Sequence, residues 1–295
     1  MTMTNGSGVS GDVGIRSEVI ALYPLVRCLK AAEAELGGNR VWATTTPEQE
    51  IFYPFYVWGE KQRSHAFLPE AECIATRNMA AYRQFVQQRS FRGVEVPAAF
   101  TPGGLGIASV FRLAPRCKHA ATPTCIKGYH CGMYLEGVHV FRTVGSAKFV
   151  AELETEQGDR IYLSPLPDAL PKELPNGFAI ADFVDGVHHG LKAFEPSSII
   201  VPAVDFVDVT DFRWMQGMHT VDAEELPAVI EAAVGKVDFQ MTFPERAVSP
   251  GQNLPDPDVV FDGPFVLWVE RRDIHNPLLI SVIAQDSWRK RPCAD

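Results

Sequence analysis

The sequence predicts an α+β protein with large mixed or antiparallel β-sheets and helices packed mainly from the N-terminal half. Two observations lead to this prediction. Apolar residues recur at helical spacing mainly before residue 90, whereas short strand-like runs separated by turn residues follow Tyr134. Most of these runs are joined by connections too short for the helix that a parallel crossover requires, which favours antiparallel or mixed pairing.

Composition limits the possible classes of protein. The chain has 295 residues, of which 46% are hydrophobic and 21% are charged, so we expect one globular domain over residues 15–295. The polar residues 1–14 have no features of a secretion signal and are expected to be disordered. A net charge of −9 without an extended basic cluster argues against nucleic-acid binding. No apolar run reaches the ~20 residues of a membrane helix, and sparse cysteines favour a reducing compartment, so a soluble cytoplasmic protein is expected.

Two helices are predicted in the N-terminal half. Apolar residues at three- and four-residue spacing predict the first over residues 15–36, with Pro24 either kinking the helix or lying in its first turn. Gly37 and Gly38 are typical of a helix C-terminus. The second helix is predicted over residues 69–88 from its amphipathic pattern.

A strand and an aromatic cluster lie between the two helices. The β-branched residues 41–46 predict the strand. The cluster that follows comprises Phe52, Tyr53, Phe55, Tyr56 and Trp58. Core packing explains such a cluster well, and a ligand-binding aromatic wall is the alternative, so these five residues are the candidates for substrate binding.

The rest of the chain reads mainly as strands. Residues 100–110 predict a glycine-rich turn that leads into a strand and lack the dinucleotide-binding pattern, because Ser109 replaces the third glycine. Helices are predicted at residues 179–188 and 223–233. The other predicted strands are 137–144, 147–153, 159–163, 198–204, 236–243, 264–270 and 277–284. The last two are almost continuously apolar and are expected to form a hairpin covered on both faces.

The end of the chain carries a series of proline-containing segments. They are Pro257-Asp258-Val259-Val260-Phe261, Pro264-Phe265-Val266, Asn276-Pro277-Leu278-Leu279 and Arg291-Pro292. These segments resemble the end of a serpin, in which a strand leads into a Phe-x-x-Pro-Phe element, a buried hairpin and a short tail. Residues 199–206 and 164–168 also resemble serpin segments. The resemblance is specific from about residue 128 to 292 and implies a serpin-like fold.

Two departures from the serpin pattern bear on function. Inhibitory serpins carry a long loop with a hinge of small residues, and cleavage by a protease lets this loop insert into the main sheet as an extra strand. The corresponding residues 243–254 lack such a hinge and contain Pro244 and Pro250, which cannot donate ladder hydrogen bonds. The chain is also shorter than the family's domain. The resemblance therefore implies a trimmed, non-inhibitory form, in which trimming opens space for a cavity beside the main sheet.

A cluster of thiols and imidazoles is the candidate for metal binding. It comprises Cys117, His119, Cys125, His130 and Cys131. Zinc binds such ligands, but structural zinc sites usually contain closely spaced cysteine pairs, and seven residues separate the first two cysteines here. Buried thiols that act as small hydrophobic side chains are the alternative.

Three residues are the candidates for acid–base catalysis. His130 and Glu136 differ by an even number of positions, so they share one face of a strand if no turn intervenes, and His139 follows them. A solvated surface role is the alternative for all three.

No sequence motif for a cofactor or a nucleophile is present, and no cofactor is expected. Our first hypothesis is a non-inhibitory serpin-fold protein that binds a small molecule or a protein partner. The second is a cofactor-independent cyclase or isomerase of bacterial specialised metabolism, since arginine outnumbers lysine as in GC-rich bacteria. An enzyme predicts a cavity near residues 52–58 or near His139 with a perturbed pKa, whereas a protein-binding module predicts an exposed apolar patch.

Overall fold

The helices and strands come from a computed structural model. It describes residues 18–54, 56–57, 68–128, 130–142, 149–166, 178–188, 194–221, 226–246, 254–274 and 276–290. The segment 1–14, expected to be disordered, lies outside these residues. The helices are α1 (Leu22–Glu35), α2 (Pro47–Pro54), α3 (Met79–Gln88) and α4 (Phe178–His188). The strands are β1 (Glu18–Ile20), β2 (Trp42–Ala43), β3 (Ala71–Thr76), β4 (Gly104–Leu113), β5 (Ala121–Ile126), β6 (His130–Arg142), β7 (Phe149–Glu154), β8 (Arg160–Pro165), β9 (Phe194–Pro202), β10 (Asp205–Asp211), β11 (His219–Thr220), β12 (Val229–Gln240), β13 (Val259–Val260), β14 (Phe265–Glu270) and β15 (Leu279–Ile283).

The strands form two sheets, which confirms the predicted α+β class with large mixed sheets. The nine-stranded sheet has the order β1-β15-β14-β8-β7-β6-β9-β13, and β5 also pairs with β6. The six-stranded sheet has the order β2-β11-β12-β4-β3, and β10 also pairs with β12. The pairs between strands are antiparallel except for β4 with β12 and β9 with β13.

The final hairpin is covered on both faces, as predicted. Phe265 and Leu267 of β14 point into the core cluster that also contains Phe111 and Phe239 of the six-stranded sheet. Trp268, on the opposite face, packs in the cluster formed with α4. A strand buried on both faces needs apolar residues at odd and even positions alike, which explains the continuous apolar run.

The six-stranded sheet is also covered on both faces. Helices α1 and α2 pack on one face, where Leu29 and Phe52 contact the cluster that contains Ile107. Helix α3 packs on the opposite face, where Tyr82 contacts Ala108. The helices of the first ninety residues thus enclose this sheet, as the sequence predicted.

Two predicted helices had wrong boundaries, and a third was resolved between its two alternatives. For residues 15–36 the structure has the alternative with Pro24 in the first turn, since α1 begins at Leu22 after β1 has paired with β15. Residues 69–77 contain β3, which pairs with β4, and α3 begins only after Asn78 accepts hydrogen bonds from the N–H groups of Ala80 and Ala81. The predicted helix at residues 223–233 overlaps the start of β12. In each case pairing with a distant strand overrides local helical spacing.

The centre of the six-stranded sheet is formed by two parallel strands, β4 and β12, that pair directly with each other. Strands β4 and β12 are paired from Gly104 opposite Val229 to Leu113 opposite Phe239, so no strand lies between them. Across the described part of the chain, no helix has the length and apolar character needed to span a membrane.

Candidate ligand-binding cavity

A row of polar side chains crosses one face of the nine-stranded sheet near the turn between β7 and β8. In this row Glu152 lies opposite His139 on one side and opposite Tyr162 on the other. Arg160 lies opposite Glu154 and, on its other side, Glu270. Directly opposed residues of neighbouring strands share a face, so these side chains converge at one end of the sheet.

Glu152 is the buried centre of this row, with its side chain only 7% exposed. Its carboxylate lies 3.5 Å from His139 Nδ1 and 3.6 Å from Arg160 Nη1. The Tyr162 hydroxyl makes side-chain hydrogen bonds with Arg160 and Glu152. Burial raises the pKa of Tyr162 well above its usual range, and the charge of Glu152 adds to this effect. Tyr162 is therefore a protonated hydroxyl, and its oxygen accepts a hydrogen bond from the Arg160 guanidinium. This bond, together with the charge of Glu152, raises the pKa of Arg160.

Trp268 supports this row from the next strand. Its ring stacks on Tyr162 with the ring centroids 5.1 Å apart and the planes inclined by 17°. Its indole Nε1 donates a 3.0 Å hydrogen bond to Glu270 Oε1. Trp268 thus holds both a phenol and a carboxylate in place, because an aromatic stack and a directed hydrogen bond restrict side-chain rotation.

A cavity of about 640 Å³ opens next to these side chains. It is lined mainly by charged residues, namely Lys118, Glu154, Asp159, Arg160, Glu270, Arg271 and Arg272, together with Gly158, Tyr162 and Ile274. This volume lies within the range of about 300–1,000 Å³ that is typical of small-molecule sites. The lining is far more polar than that of an average ligand pocket.

One wall of the cavity is held by Arg271. Its guanidinium binds Asp159 with two hydrogen bonds of 2.8 Å. It also binds Glu70 with contacts of 2.9 and 3.4 Å. The bond to Asp159 is the main reason that the pKa of Arg271 is raised, with Glu70 adding to it. Since Glu70 precedes β3, this cation joins the two sheets.

The opposite wall carries Lys118. The backbone N–H of Lys118 donates a 2.8 Å hydrogen bond to the Glu154 carbonyl, and its Nζ lies 3.0 Å from the Glu154 carboxylate. This ion pair lowers the pKa of Glu154. Nearby, burial lowers the pKa of His119, whose Nδ1 is buried without a hydrogen-bond partner in the described structure.

Arg272 differs from the other cations that line the cavity. It is exposed, and no carboxylate within the described residues pairs with it. Lys118, Arg160 and Arg271 already have acidic partners at the distances given above. Among the described residues, the cavity therefore offers one cation without an acidic partner, beside several ion pairs.

The three predicted catalytic residues do not come together. They lie on one strand, β6, so His130 and Glu136 are separated by about 20 Å. His130 is buried against Trp288, and burial lowers its pKa. Glu136 is exposed at a bulge and pairs with Arg246. Only His139 lies beside the cavity residues, where it contacts Glu152 and stacks on Phe194.

Among the predicted metal ligands, Cys125 and Cys131 lie directly opposite each other on β5 and β6, but within the described residues the five do not form one group of ligands. Cys125 is disulfide-bonded, whereas Cys117 and Cys131 are buried free thiols. Burial raises the pKa of Cys117 to about 12, which opposes the thiolate that zinc requires. His130 and Cys131 are consecutive strand residues and point to opposite faces. Among the residues that the structure describes, no group of three His, Cys, Asp or Glu side chains is arranged to hold a metal ion.

The predicted aromatic wall is part of the core. Phe52 and Tyr56 are buried in the cluster beneath α1, and Phe52 meets Trp214 edge to face at 5.5 Å. The half-buried Tyr53 accepts a hydrogen bond from the backbone N–H of Trp42. Phe55 and Trp58 lie outside the described residues. None of the described members of this aromatic set lines the cavity.

The segment that follows β12 is bound along the chain that leads into β5. The N–H of Thr242 donates to the Pro115 carbonyl, and the Thr242 carbonyl accepts from Cys117 at 2.9 Å. The N–H of Ala121 donates to the Pro244 carbonyl, and its own carbonyl accepts from Arg246, both at 2.8 Å. Residues 242–246 are thus fixed by four backbone hydrogen bonds.

The chain is fixed again where it enters β13. Asp258 Oδ2 accepts hydrogen bonds from the N–H and the hydroxyl of Ser198, at 2.7 and 2.8 Å. These bonds lower the pKa of Asp258. Both flanks of the interval between β12 and β13 are therefore attached to the nine-stranded sheet.

None of the residues that line the cavity was predicted as a site residue from the sequence. Glu152, Arg160 and Tyr162 lie in segments that were predicted only as strands. A single glutamate or tyrosine between apolar residues of a strand is ordinary when one face of the sheet is exposed to solvent. A signal was present in Glu152, a carboxylate flanked by Ala151 and Leu153, but its pairing with Tyr162 depends on the register of β7 and β8.

Comparisons with known proteins identify the fold only through structure. The sequence matches no protein-family model and no curated protein. The solved structure of SRPN18 from Anopheles gambiae matches with a TM-score of 0.53 and 9% identity, over 92% of both chains. The structure of native protease nexin-1 with heparin matches with a TM-score of 0.53 and 11% identity, over 92% of this chain and 93% of that one.

Proposed function

Starting from the serpin-like fold shared with these two serpins, we propose that this chain is a non-inhibitory protein that binds a small molecule in the charged cavity. The cavity of about 640 Å³ beside Arg160 and Tyr162 is the observation that carries the proposal. Concave sites of this size with a few fixed polar groups are where small ligands bind in proteins. A protein-binding module would instead rely on an exposed apolar patch.

The lining indicates the chemistry of the ligand. Arg272 has no acidic partner within the described residues, whereas the neighbouring cations are paired with Glu154, Glu152 and Asp159. An anionic group on the ligand, such as a carboxylate, would pair with Arg272. We therefore propose a small polar ligand that carries a negative charge.

The path of the chain after β12 supports the proposal that this protein does not inhibit proteases. Loop insertion requires residues after β12 to detach and lie as a strand between β4 and β12. Here β4 and β12 pair directly over their whole length, and residues 242–246 are bound elsewhere by backbone hydrogen bonds. Pro244 also lacks the N–H that an inserted strand uses in the ladder. These features support the proposal that the protein does not inhibit proteases by loop insertion.

An enzyme on the same scaffold is the second candidate. The contact of His139 with the buried Glu152, and of Glu152 with the protonated Tyr162, favours it, because proton transfer needs an acid and a base held together. The reaction would be a cofactor-independent isomerisation or cyclisation, of the kind found in bacterial specialised metabolism. The two candidates differ in turnover: a binding protein returns its ligand unchanged, whereas an enzyme converts it.

The location of the protein is also a proposal. The sequence led us to expect a cytoplasmic protein, but Cys125 is disulfide-bonded. Disulfides persist mainly in oxidising compartments, so this bond weighs against the cytoplasm. Ligand binding in the cavity does not depend on the answer.

Native mass spectrometry of protein purified from its host tests the proposed function. We expect a retained small molecule on the wild type and its loss, with an affinity decrease on the order of tenfold or more, in an Arg272→Glu variant. The reversed charge repels the anionic group, while substitution at an exposed position changes the stability by less than about 0.5 kcal/mol. Arg92→Glu makes the same charge change at an exposed site outside the cavity and should retain the ligand.

Two results would contradict the proposal. One is wild-type protein that carries no small molecule but co-purifies with another chain, which would indicate a protein-binding module. The other is a ligand that Arg272→Glu and Arg92→Glu retain equally, which would place the binding site away from the cavity.

A further inference from the structure

Two cysteines from different elements meet beneath α1. Cys28 lies in the middle of α1 and is 1% exposed, whereas Cys73 lies on the edge strand β3 and is partly exposed. Both are free thiols, and Cys73 packs against the buried cluster that contains Cys28. Neither cysteine lines the cavity, and the pair plays no part in the proposed function.

The fold holds these thiols together from both sides. Ser109 on β4 is the cross-strand partner of Cys73, so both residues face α1. The guanidinium of Arg27, the residue before Cys28, donates hydrogen bonds to the carbonyls of Leu68 and Ala71 next to β3. These bonds fix the position of α1 relative to β3 and hold Cys28 and Cys73 in the same cluster.

The surroundings also separate the two thiols in acidity. The hydrogen bond from Cys28 lowers the pKa of Cys73 to about 7, and the positive charge of Arg27 acts in the same direction, while burial and the charge of Glu72 oppose it. The hydrogen bond to Cys73 and burial raise the pKa of Cys28. The thiolate therefore resides on Cys73, which is also the thiol that solvent reaches. A nucleophilic thiolate near an accessible surface is what disulfide exchange requires.

We propose that Cys28 and Cys73 form a thiol–disulfide exchange site that reacts reversibly with low-molecular-weight disulfides. The Cys73 thiolate attacks one sulfur of the small disulfide, forming a mixed disulfide and releasing one small thiolate, which takes up a proton. The Cys28 thiol then loses its proton and attacks the Cys73 sulfur, which forms the Cys28–Cys73 bond and releases the second small thiol. Two protein thiols and one small disulfide thus give one protein disulfide and two small thiols.

This site differs from the other free cysteines of the described structure. Cys117 and Cys131 are both buried, and burial raises the pKa of Cys117 to about 12. At pH 7 we expect iodoacetamide to modify Cys73 about tenfold faster than either of them, because reactivity follows the thiolate fraction and access.

Incubation of the full-length protein with oxidised glutathione tests the proposal. We expect the intact mass to fall by the mass of two hydrogen atoms, with no glutathione attached to the protein. We also expect a cross-linked peptide that joins Cys28 to Cys73, and dithiothreitol should reverse the change. A Cys28→Ser variant should stop at the mixed disulfide and retain one glutathione on Cys73. A Cys131→Ser variant should react like the wild type.

The wild-type experiment needs no substitution and decides the matter alone. Wild-type protein that keeps glutathione on Cys73, or that shows no change at Cys28 and Cys73, would overturn the proposal. Equal rates of iodoacetamide modification at Cys73 and Cys117 would also overturn it.

Discussion

Replacement of Arg271 by methionine is expected to lower the free energy of unfolding by about 3–5 kcal/mol. Arg271 pairs with Asp159 and Glu70 through hydrogen bonds to both carboxylates. The Asp159 side chain is only 5% exposed, so removal of the cation leaves a buried negative charge without compensation. The same change also releases the contact between the β7–β8 turn and the chain before β3.

Urea unfolding of the variant and wild type measures this effect. Arg272→Met removes a neighbouring arginine that has no such partners and should change the stability by less than about 0.5 kcal/mol. Arg271→Lys keeps the charge but loses the planar fork, so an intermediate loss is expected. An Arg271→Met variant as stable as Arg272→Met would contradict the role assigned to the ion pairs of Arg271 with Asp159 and Glu70.

Replacement of Trp268 by alanine is expected to destabilise the protein by about 3–5 kcal/mol. Trp268 is fully buried on an interior strand of the nine-stranded sheet, where it packs in the cluster formed with α4. Its loss creates a large cavity and removes the stack on Tyr162 and the hydrogen bond to Glu270. The effect should therefore extend to the binding site.

A Trp268→Phe variant separates the two consequences. Phenylalanine restores most of the buried apolar area and the stack, so we expect less than half the loss of stability seen with alanine, measured by thermal unfolding. It cannot donate to Glu270, so ligand affinity should still fall. Equal stability losses for the two variants would show that packing at this position is not the main contribution.

The fold was more predictable than the site, and the C-terminal hairpin illustrates the reason. The continuous apolar runs of β14 and β15 predict from the sequence alone that both faces of these strands are buried. The proline-containing segments around them led to the serpin resemblance, and the comparisons confirm the serpin-like fold. Gly37, with a φ of 83°, likewise marked the end of α1 as a residue suited to left-handed backbone.

The errors arose where long-range pairing decides the structure. Ala71–Thr76 has helical spacing of its apolar residues, yet it forms β3 because β4 offers an open edge. The cavity depends on such pairing throughout: Glu152, Tyr162 and Trp268 are distant in sequence and become neighbours only through the registers of β7, β8 and β14. The candidate catalytic residues do not come together for the converse reason: they are close in sequence, but an extended strand holds them far apart in space.

The central claim is that β4 and β12 of the six-stranded sheet stay paired in this serpin-like fold, with no loop inserted between them. Thermal unfolding of protein that has been cut once between residues 247 and 253, with the cut verified by mass, tests the claim most directly. Because residues 242–246 are bound along the β5 segment and β4 pairs with β12, we expect the cut protein to unfold at the same temperature as the intact protein, or lower. A marked rise of the unfolding temperature after cleavage would mean that the loop inserts and releases stored strain, which would contradict the account.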